Sequence, residues 1–526
     1  MEMLTRPRVL VIGSGIAGTI SAIEAARRGA EVTLACSGHL FGGSSFFPGT
    51  WGLGLVAPID EDDESDLIGT IIDVGCGAAD PVLVKTFVRG LRPSVRWLEQ
   101  DLGVKLKRPS SARSAEEAAF IPCFDHKTRT WRGITRGEFI GAVSGELRRL
   151  NVTVLDAHEL TDLISNERGV QGAVFYDWTR NAIQTIHAEA TIVCTGGCGG
   201  LFGRRLTSGD VYGSAQGIAF QHGCRLTNTE FIQMMPGLLY PKKGLVFNEK
   251  TFRYISWIEP AGRASLPRES ALKELLELRS THGPFTTRLH DDAMDKAIDA
   301  AGEQGLAVRY DFPRVNVPEF VQTFRQWLQT EHGIDPSDEL RLGMYAHASN
   351  GGIAISPDAS TGIPGLYACG EATGGVHGAD RLGGLSSANG LVFGRIAGKK
   401  AADYAEHAPR AEDTRYPLPA TPQENIEELR DMTAAMQSTM SRYAMIHRTE
   451  NGLRLAQKTL GSFQEHIESL WTHGPMAARK TELSPLDGKA YVLASRLDGQ
   501  LSYALEMLRA MRARTQSLGP HNRSDQ

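Results

Sequence analysis

VLVIGSGIAGTISAIEAARRGAEVTLAC, residues Val9–Cys36, decides the fold. A short apolar run (Arg8–Ile12) leads into Gly13, Gly15 and Gly18, spaced G-x-G-x-x-G. Helix-period residues (Thr19–Arg28) and a second short apolar run (Ala30–Ala35) follow. That order predicts a βαβ unit. Gly13 permits the turn, Gly15 lets backbone reach a pyrophosphate, and Gly18 lets helix pack closely on strand. The helix N-terminus turns N–H groups and a positive dipole end toward phosphate. G-x-G-x-x-G alone is weak; inside this unit it predicts a dinucleotide site. The acidic residue that usually ends the second strand and binds ribose is absent, since that strand ends Leu34-Ala35-Cys36-Ser37. Ser37 is the available substitute, and a nicotinamide ligand loses its best support.

Two further glycine clusters also follow apolar runs. In TIVCTGGCGG (Thr191–Gly200), Thr195, Gly196 and Gly197 bring backbone toward the same ligand; in GIPGLYACGEATGGVHGADRLGG, a strand at Gly365–Ala368 runs into Gly370-Glu371. Helices are predicted near Glu64–Gly75, Pro81–Asp101 and Arg136–Leu150. The β-rich runs Val152–Leu155, Val170–Tyr176 and Ile183–His187 predict a small antiparallel meander. Residues 241–345 mix charged helices, loops and prolines, as in a separate, less regular domain. A Pro-rich linker (Tyr416–Pro422) precedes helices near Gln423–Thr439, Gly452–Trp471 and Ala490–Arg514, whose apolar residues recur at three and four, as in a bundle.

A chain of 526 residues is too long for one simple core, so two or three domains are expected. The net charge of −5, with no basic stretch interleaved with aromatics, argues against a nucleic-acid partner. Seven scattered cysteines, an odd number, fit reduced thiols; Cys194 and Cys198 read as buried thiols, with no metal expected. No apolar run approaches the ~20 residues of a membrane helix, and Val9–Ile12 is too short for a signal core. The cytoplasm and no membrane insertion are expected.

HGADRLGGLSSANGLVFGRIAG (His377–Gly398) resembles the signature of the flavoprotein family of succinate dehydrogenase, fumarate reductase and L-aspartate oxidase. GSGIAG, CTGG with SGDVYGSAQGIAFQHG, HASNGG and GLYACGEATGG follow the family's order. HRTENGLRLA and RTQSLGPHNRSD resemble its helical domain. The resemblance covers nearly the whole chain and is weakest between residues 240 and 345. It implies an α/β fold: a Rossmann-type FAD-binding domain with an inserted β-meander (1–240 and 346–408), an α+β cap domain (241–345) and a C-terminal helical bundle (420–526). By position, Gly13, Ser14, Gly15, Ala17 and Gly18 would hold the pyrophosphate, Ser37 would lie near the adenosine ribose, and Gly43, Ser44 and Ser45 near the flavin. Thr195, Gly196, Gly197 and Asp210 of SGDVYG would also border FAD, Glu371 would bind the ribityl chain and Ser386 would face the isoalloxazine. Ser44 stands where respiratory members attach FAD through histidine, which implies noncovalent FAD.

The implied activity is that of an FAD-dependent dehydrogenase or oxidase, moving a hydride between a small carboxylate or amino acid and the flavin. His347 and Arg381 fall on two of the family's substrate-carboxylate positions. Met235 stands in place of a substrate-binding histidine and Gly237 in place of threonine. The family's cap arginine, a proton donor or base, falls on Asp291 without a gap; Arg288 reaches the position with a three-residue slip. Glu249 matches a cap-loop glutamate. Met234, Met235, Tyr254 and Trp257 make either a less polar far side or plain cap core. Altered specificity is therefore expected, with L-aspartate oxidase proper (L-aspartate to iminosuccinate) and a flavoprotein subunit of an electron-transfer complex as alternatives. A decayed, non-catalytic flavin protein is a further reading. The electron acceptor, whether oxygen, fumarate, quinone or a partner protein, is left open.

Overall fold

A computed structural model describes residues 6–110, 123–313, 316–412, 418–419, 425–472, 479–480 and 485–525. Its centre is a five-stranded parallel sheet in the order Leu366–Ala368, Ala190–Val193, Arg8–Ile12, Glu31–Ala35, Thr153–Leu155. Both faces of its central strand are covered, so that strand is apolar beyond Arg8: Val9, Leu10 and Val11 are each at most 1% exposed. The first helix spans Ile16–Arg27, starting three residues before the expected Thr19.

That helix lies along the long helix Leu385–His407. A Cβ on Gly394 would sit 2.8 Å from the Ala17 carbonyl oxygen, and one on Gly398 would sit 2.3 Å from that of Ser21. The glycines of ANGLVFGRIAG therefore set the closest approach of two helices from opposite ends of the fold.

The meander is present but differs from expectation. Its strands are His158–Asn166, Gly169–Asp177 and Ala182–His187, whereas Thr153–Leu155 joins the parallel sheet beside Glu31–Ala35. The first strand was missed because register shifts after Leu160 and Ile164 disturb its alternation.

A second, antiparallel sheet runs Leu245–Val246, Ile232–Tyr240, Leu340–Ser349, Leu306–Tyr310, Ile255–Glu259, with helices Glu269–Arg279, Asp292–Ala300 and Glu319–His332 around it. Ile232–Tyr240 and Leu340–Ser349 pair along most of their length. The expected boundary at 345/346 thus falls inside one continuous strand. The C-terminal helices Asn425–Tyr443, Glu450–Thr472 and Pro485–Ala513 share a core with this sheet. Most of the expected linker Tyr416–Pro422 lies outside the described residues.

Candidate active site

The nucleotide end of the site follows from backbone geometry. Gly13 has φ +108°, and a Cβ there would lie 2.4 Å from the Cys194 carbonyl oxygen; a Cβ on Gly18 would lie 1.8 Å from that of Gly13. Both positions admit only glycine, and the turn they make lays Ser14, Gly15 and Ala17 along one deep cleft. Ser37, Gly43, Ser44, Ser45, Thr195, Gly196, Asp210, Glu371 and Ser386 line the same cleft. Gly18 and Gly197 do not. Gly197 makes room for Glu371, whose Oε1 would lie 2.3 Å from a Cβ there.

Several polar groups in this cleft are left without protein partners. The Ser44 and Thr195 hydroxyls and Asp210 Oδ1 are buried and have no partner among the described residues. The other Asp210 oxygen accepts the Gly43 N–H at 3.0 Å, while Ser45 Oγ accepts the Ile16 N–H at 3.2 Å on the opening turn of the helix. Glu371 Oε1 accepts the Ser349 N–H at 2.9 Å, and burial raises the pKa of that carboxyl. Buried polar groups require partners, so this cradle fits a ligand with phosphate, ribityl and heteroaromatic hydrogen-bonding groups.

At the second strand's end, Cys36 is quiet chemistry: burial pushes its thiol up to about 12, with Asp156 Oδ1 3.3 Å away. His158, Glu159 and Tyr212 also line the cleft. The first two ride on the missed meander strand. Glu159 is forked by Arg496 of the C-terminal helix through two bonds of 2.6 Å.

Arg381 and His347 meet at the other end of the cleft. Gln233 pairs with Ala348 but Met234 with Ala346, leaving His347 as the extra residue of a β-bulge. Bulges re-aim side chains beside active sites, and this one delivers His347 to the cleft. Burial, then the nearby Arg381 charge, lowers its pKa to about 4, so the ring is neutral at physiological pH; its Nδ1 has no partner among the described residues. Arg381 forms no ion pair among the described residues. Its Nε and Nη2 donate to Gln233 Oε1 at 3.1 and 2.8 Å and Nη1 to the Leu382 carbonyl at 3.3 Å.

The cleft wall here is apolar: Phe47, Leu206 and Val246 line it, and behind them Met235, Leu239 and Tyr345 complete one cluster, with Trp51 against it. Gly237 leaves its side-chain space to the Tyr345 ring and Leu206, which a Cβ there would meet at 2.9–3.1 Å. Tyr345 donates its hydroxyl to the Leu238 carbonyl at 2.8 Å, so it offers no free donor.

The two cap candidates do not line the cleft. Arg288 pairs with Asp380 at 3.6 Å and lies over the Phe124 ring. Glu249 is buried 4.0 Å from Cys123 Sγ, on the Gly283 turn that Met235 also touches. Asp291, at the gapless arginine position, is buried and takes His282 Nε2 at 2.6 Å. Tyr254 packs on Phe312, and Trp257 is 38% exposed beneath Arg309. They belong to the cap core and surface.

This combination defines an FAD-dependent oxidoreductase. The model described as FAD binding domain matches residues 8–387, and that described as fumarate reductase flavoprotein C-term matches 433–526. The chain belongs to the succinate dehydrogenase, fumarate reductase and L-aspartate oxidase flavoprotein family. It is 28% identical to the L-aspartate oxidase of Halobacterium salinarum, covering 100% of this chain and 98% of that one. It is 26% identical to the fumarate reductase flavoprotein subunit of Mycobacterium tuberculosis, covering 99% and 92%. In fold it matches E. coli quinol fumarate reductase with TM-score 0.75 at 21% identity, covering 99% and 92%. It matches Mycobacterium smegmatis Sdh1 with TM-score 0.77 at 22% identity, covering 99% and 90%. No described helix is long and apolar enough to cross a membrane.

Proposed function

We propose that this enzyme transfers a hydride between noncovalently held FAD and a small substrate carrying one carboxylate and a neutral or apolar far end. The observation behind this reading is the buried Arg381 guanidinium, without an ion pair among the described residues, beside neutral His347 in a cleft lined by Leu206 and Val246, which pack on Met235. When bound, FAD supplies the two-electron hydride acceptor or donor. Ser14, Gly15, Ala17, Thr195, Asp210 and Glu371 would hold it, and Ser44 offers a hydroxyl that cannot form a histidyl link.

Arg381 meets the substrate carboxylate with a planar, permanently charged fork, and His347 adds a neutral hydrogen-bonding edge. The apolar wall excludes water and provides no donor for a second carboxylate, since a thioether is only a weak acceptor. Succinate, fumarate and L-aspartate therefore rank below or level with monocarboxylates. The test is anaerobic flavin bleaching across succinate, L-aspartate and monocarboxylates, with fumarate-driven reoxidation. Fast reaction with succinate or fumarate would overturn the reading. The flavin should leave the polypeptide intact on acid precipitation; flavin retained in the pellet refutes noncovalent attachment. A second reading, a flavoprotein subunit, draws on relatives bearing that name. Co-purification of an iron–sulfur protein would favour it.

A further inference from the structure

Gln233 lies on the strand Ile232–Tyr240, next to the bulge that carries His347, and is fully buried. Its single acceptor oxygen takes two bonds from Arg381, at 3.1 Å from Nε and 2.8 Å from Nη2. These two donors form the edge of the guanidinium that elsewhere in proteins clasps a carboxylate. Here the clasp is neutral. Three of the five N–H donors of Arg381 are bonded, which fixes its position, while its charge has no ion-pair partner among the described residues.

The orientation of the amide follows from the chemistry of its partner. A guanidinium has no acceptor, so the amide oxygen must face it and Nε2 must point away. That Nε2 is buried and has no partner among the described residues. The acid that acts most on Arg381 is Glu371, whose Oε1 is already committed to the Ser349 N–H. Two unmet requirements thus fall on neighbouring groups: a guanidinium without an ion pair and a spare amide donor.

We infer that Gln233 is the positioning and specificity residue of the anion end of the site: its neutral amide aims Arg381 while leaving the charge available to a substrate carboxylate, and its Nε2 is a further donor to that ligand. The inference rests on the carboxylate reading above and identifies what makes Arg381 a receptor and not half of an internal ion pair. A carboxylate at 233 would occupy the same space and bonds but satisfy the charge from within. In a site this buried, an internal counter-ion competes directly with the ligand.

The experiment titrates FAD-loaded protein with benzoate and with neutral benzamide, followed by the flavin absorbance, for wild type, Gln233→Glu and Gln233→Met. Wild type should prefer benzoate. Gln233→Glu should weaken benzoate roughly 30-fold or more, as expected when a buried charge pair is denied its partner, while benzamide changes by less than about threefold. Gln233→Met, neutral and of similar length, should retain benzoate binding within about tenfold. If Gln233→Glu binds benzoate as wild type does, or if both variants lose benzoate and benzamide alike with FAD still bound, the inference is overturned while the carboxylate reading stands. Wild type that binds neither probe, or does not prefer benzoate, would overturn both.

Discussion

The cleft has two unlike walls. Along the Rossmann sheet, three polar groups (Ser44, Thr195 and Asp210 Oδ1) are buried without partners, and the backbone is pressed so close that Gly13 and Gly18 tolerate no side chain. In the part of the cleft shared with Leu206 and Val246, apolar side chains fill the space and the nearby Tyr345 is already bonded. The first wall is unfinished without a ligand; the second is finished by the protein itself. A cofactor shared by many enzymes is held by backbone geometry that tolerates little change. A substrate is chosen by side chains that exchange within a sheet without disturbing it.

The largest effect that would sharpen this contrast is expected at Gly18→Ala, which places a methyl 1.8 Å from the Gly13 carbonyl oxygen. Purified protein should carry essentially no flavin, measured as absorbance per chain. Gly141→Ala, in open space on the helix Arg136–Arg149, should keep full flavin content. Equal flavin in both variants would break the claim that backbone packing governs the first wall.

Arg381→Lys keeps charge but loses the fork. Its kcat/KM should fall roughly 10- to 150-fold, about 1.5–3 kcal/mol, with FAD retained. Native kinetics on the true substrate would remove Arg381 from substrate binding.

Asp380 separates the walls by a single residue. It accepts a bond from Thr286 Oγ1 at 2.7 Å, pairs with Arg288 at 3.6 Å, and through them ties the cap to the FAD domain. Burial, opposed by Thr286, Arg288 and the nearby His282, raises its pKa from 3.8 to about 6. The raised value means the protonated form is favoured by folding: the stabilisation is full below the unfolded pKa and is lost as pH rises through the folded one. Asp380→Asn should therefore be more stable than wild type above pH ~6, by at most about 3 kcal/mol, with the gain vanishing below pH ~4. Thermal melts across that range decide it; a constant difference would refute the assignment.

The smallest effect is expected from Met235→His. One new donor on the apolar wall is worth about 1 kcal/mol, so succinate or fumarate turnover should rise about fivefold. No gain would mean that something other than the thioether excludes dicarboxylates.

Much of the first wall was legible because its constraints are local. Gly13, Gly15 and Gly18 lie within six residues of one turn, and the other glycine clusters each close on themselves. Arg381 and His347 were legible only through the family pattern. The bulge that aims His347 depends on pairing between strands about a hundred residues apart, and no window of sequence contains both. Gln233 was passed over for the same reason: an amide on an apolar strand gives no signal until Arg381 is beside it. Glu159 was missed with the bulged strand His158–Asn166, and neither it nor Tyr212 gives a signal until Arg496 of the expected C-terminal helix, Pro485–Ala513, packs behind both. Arg288 was sought at the helix start by a one-turn slip; the fold instead commits it to Asp380.

The contact between the helices Ile16–Arg27 and Leu385–His407 has a consequence for biosynthesis. The fingerprint leaves the ribosome first, but its neighbours Gly394 and Gly398 emerge some 370 residues later. At about 5–20 residues per second that interval is roughly 20–75 s. Throughout it the first helix has one face uncovered, and the sheet lacks its edge strand Leu366–Ala368. Cofactor capture is therefore expected only once Leu385–His407 has been made, and a nascent chain stalled before Leu385 exposes an apolar surface for chaperones to shield.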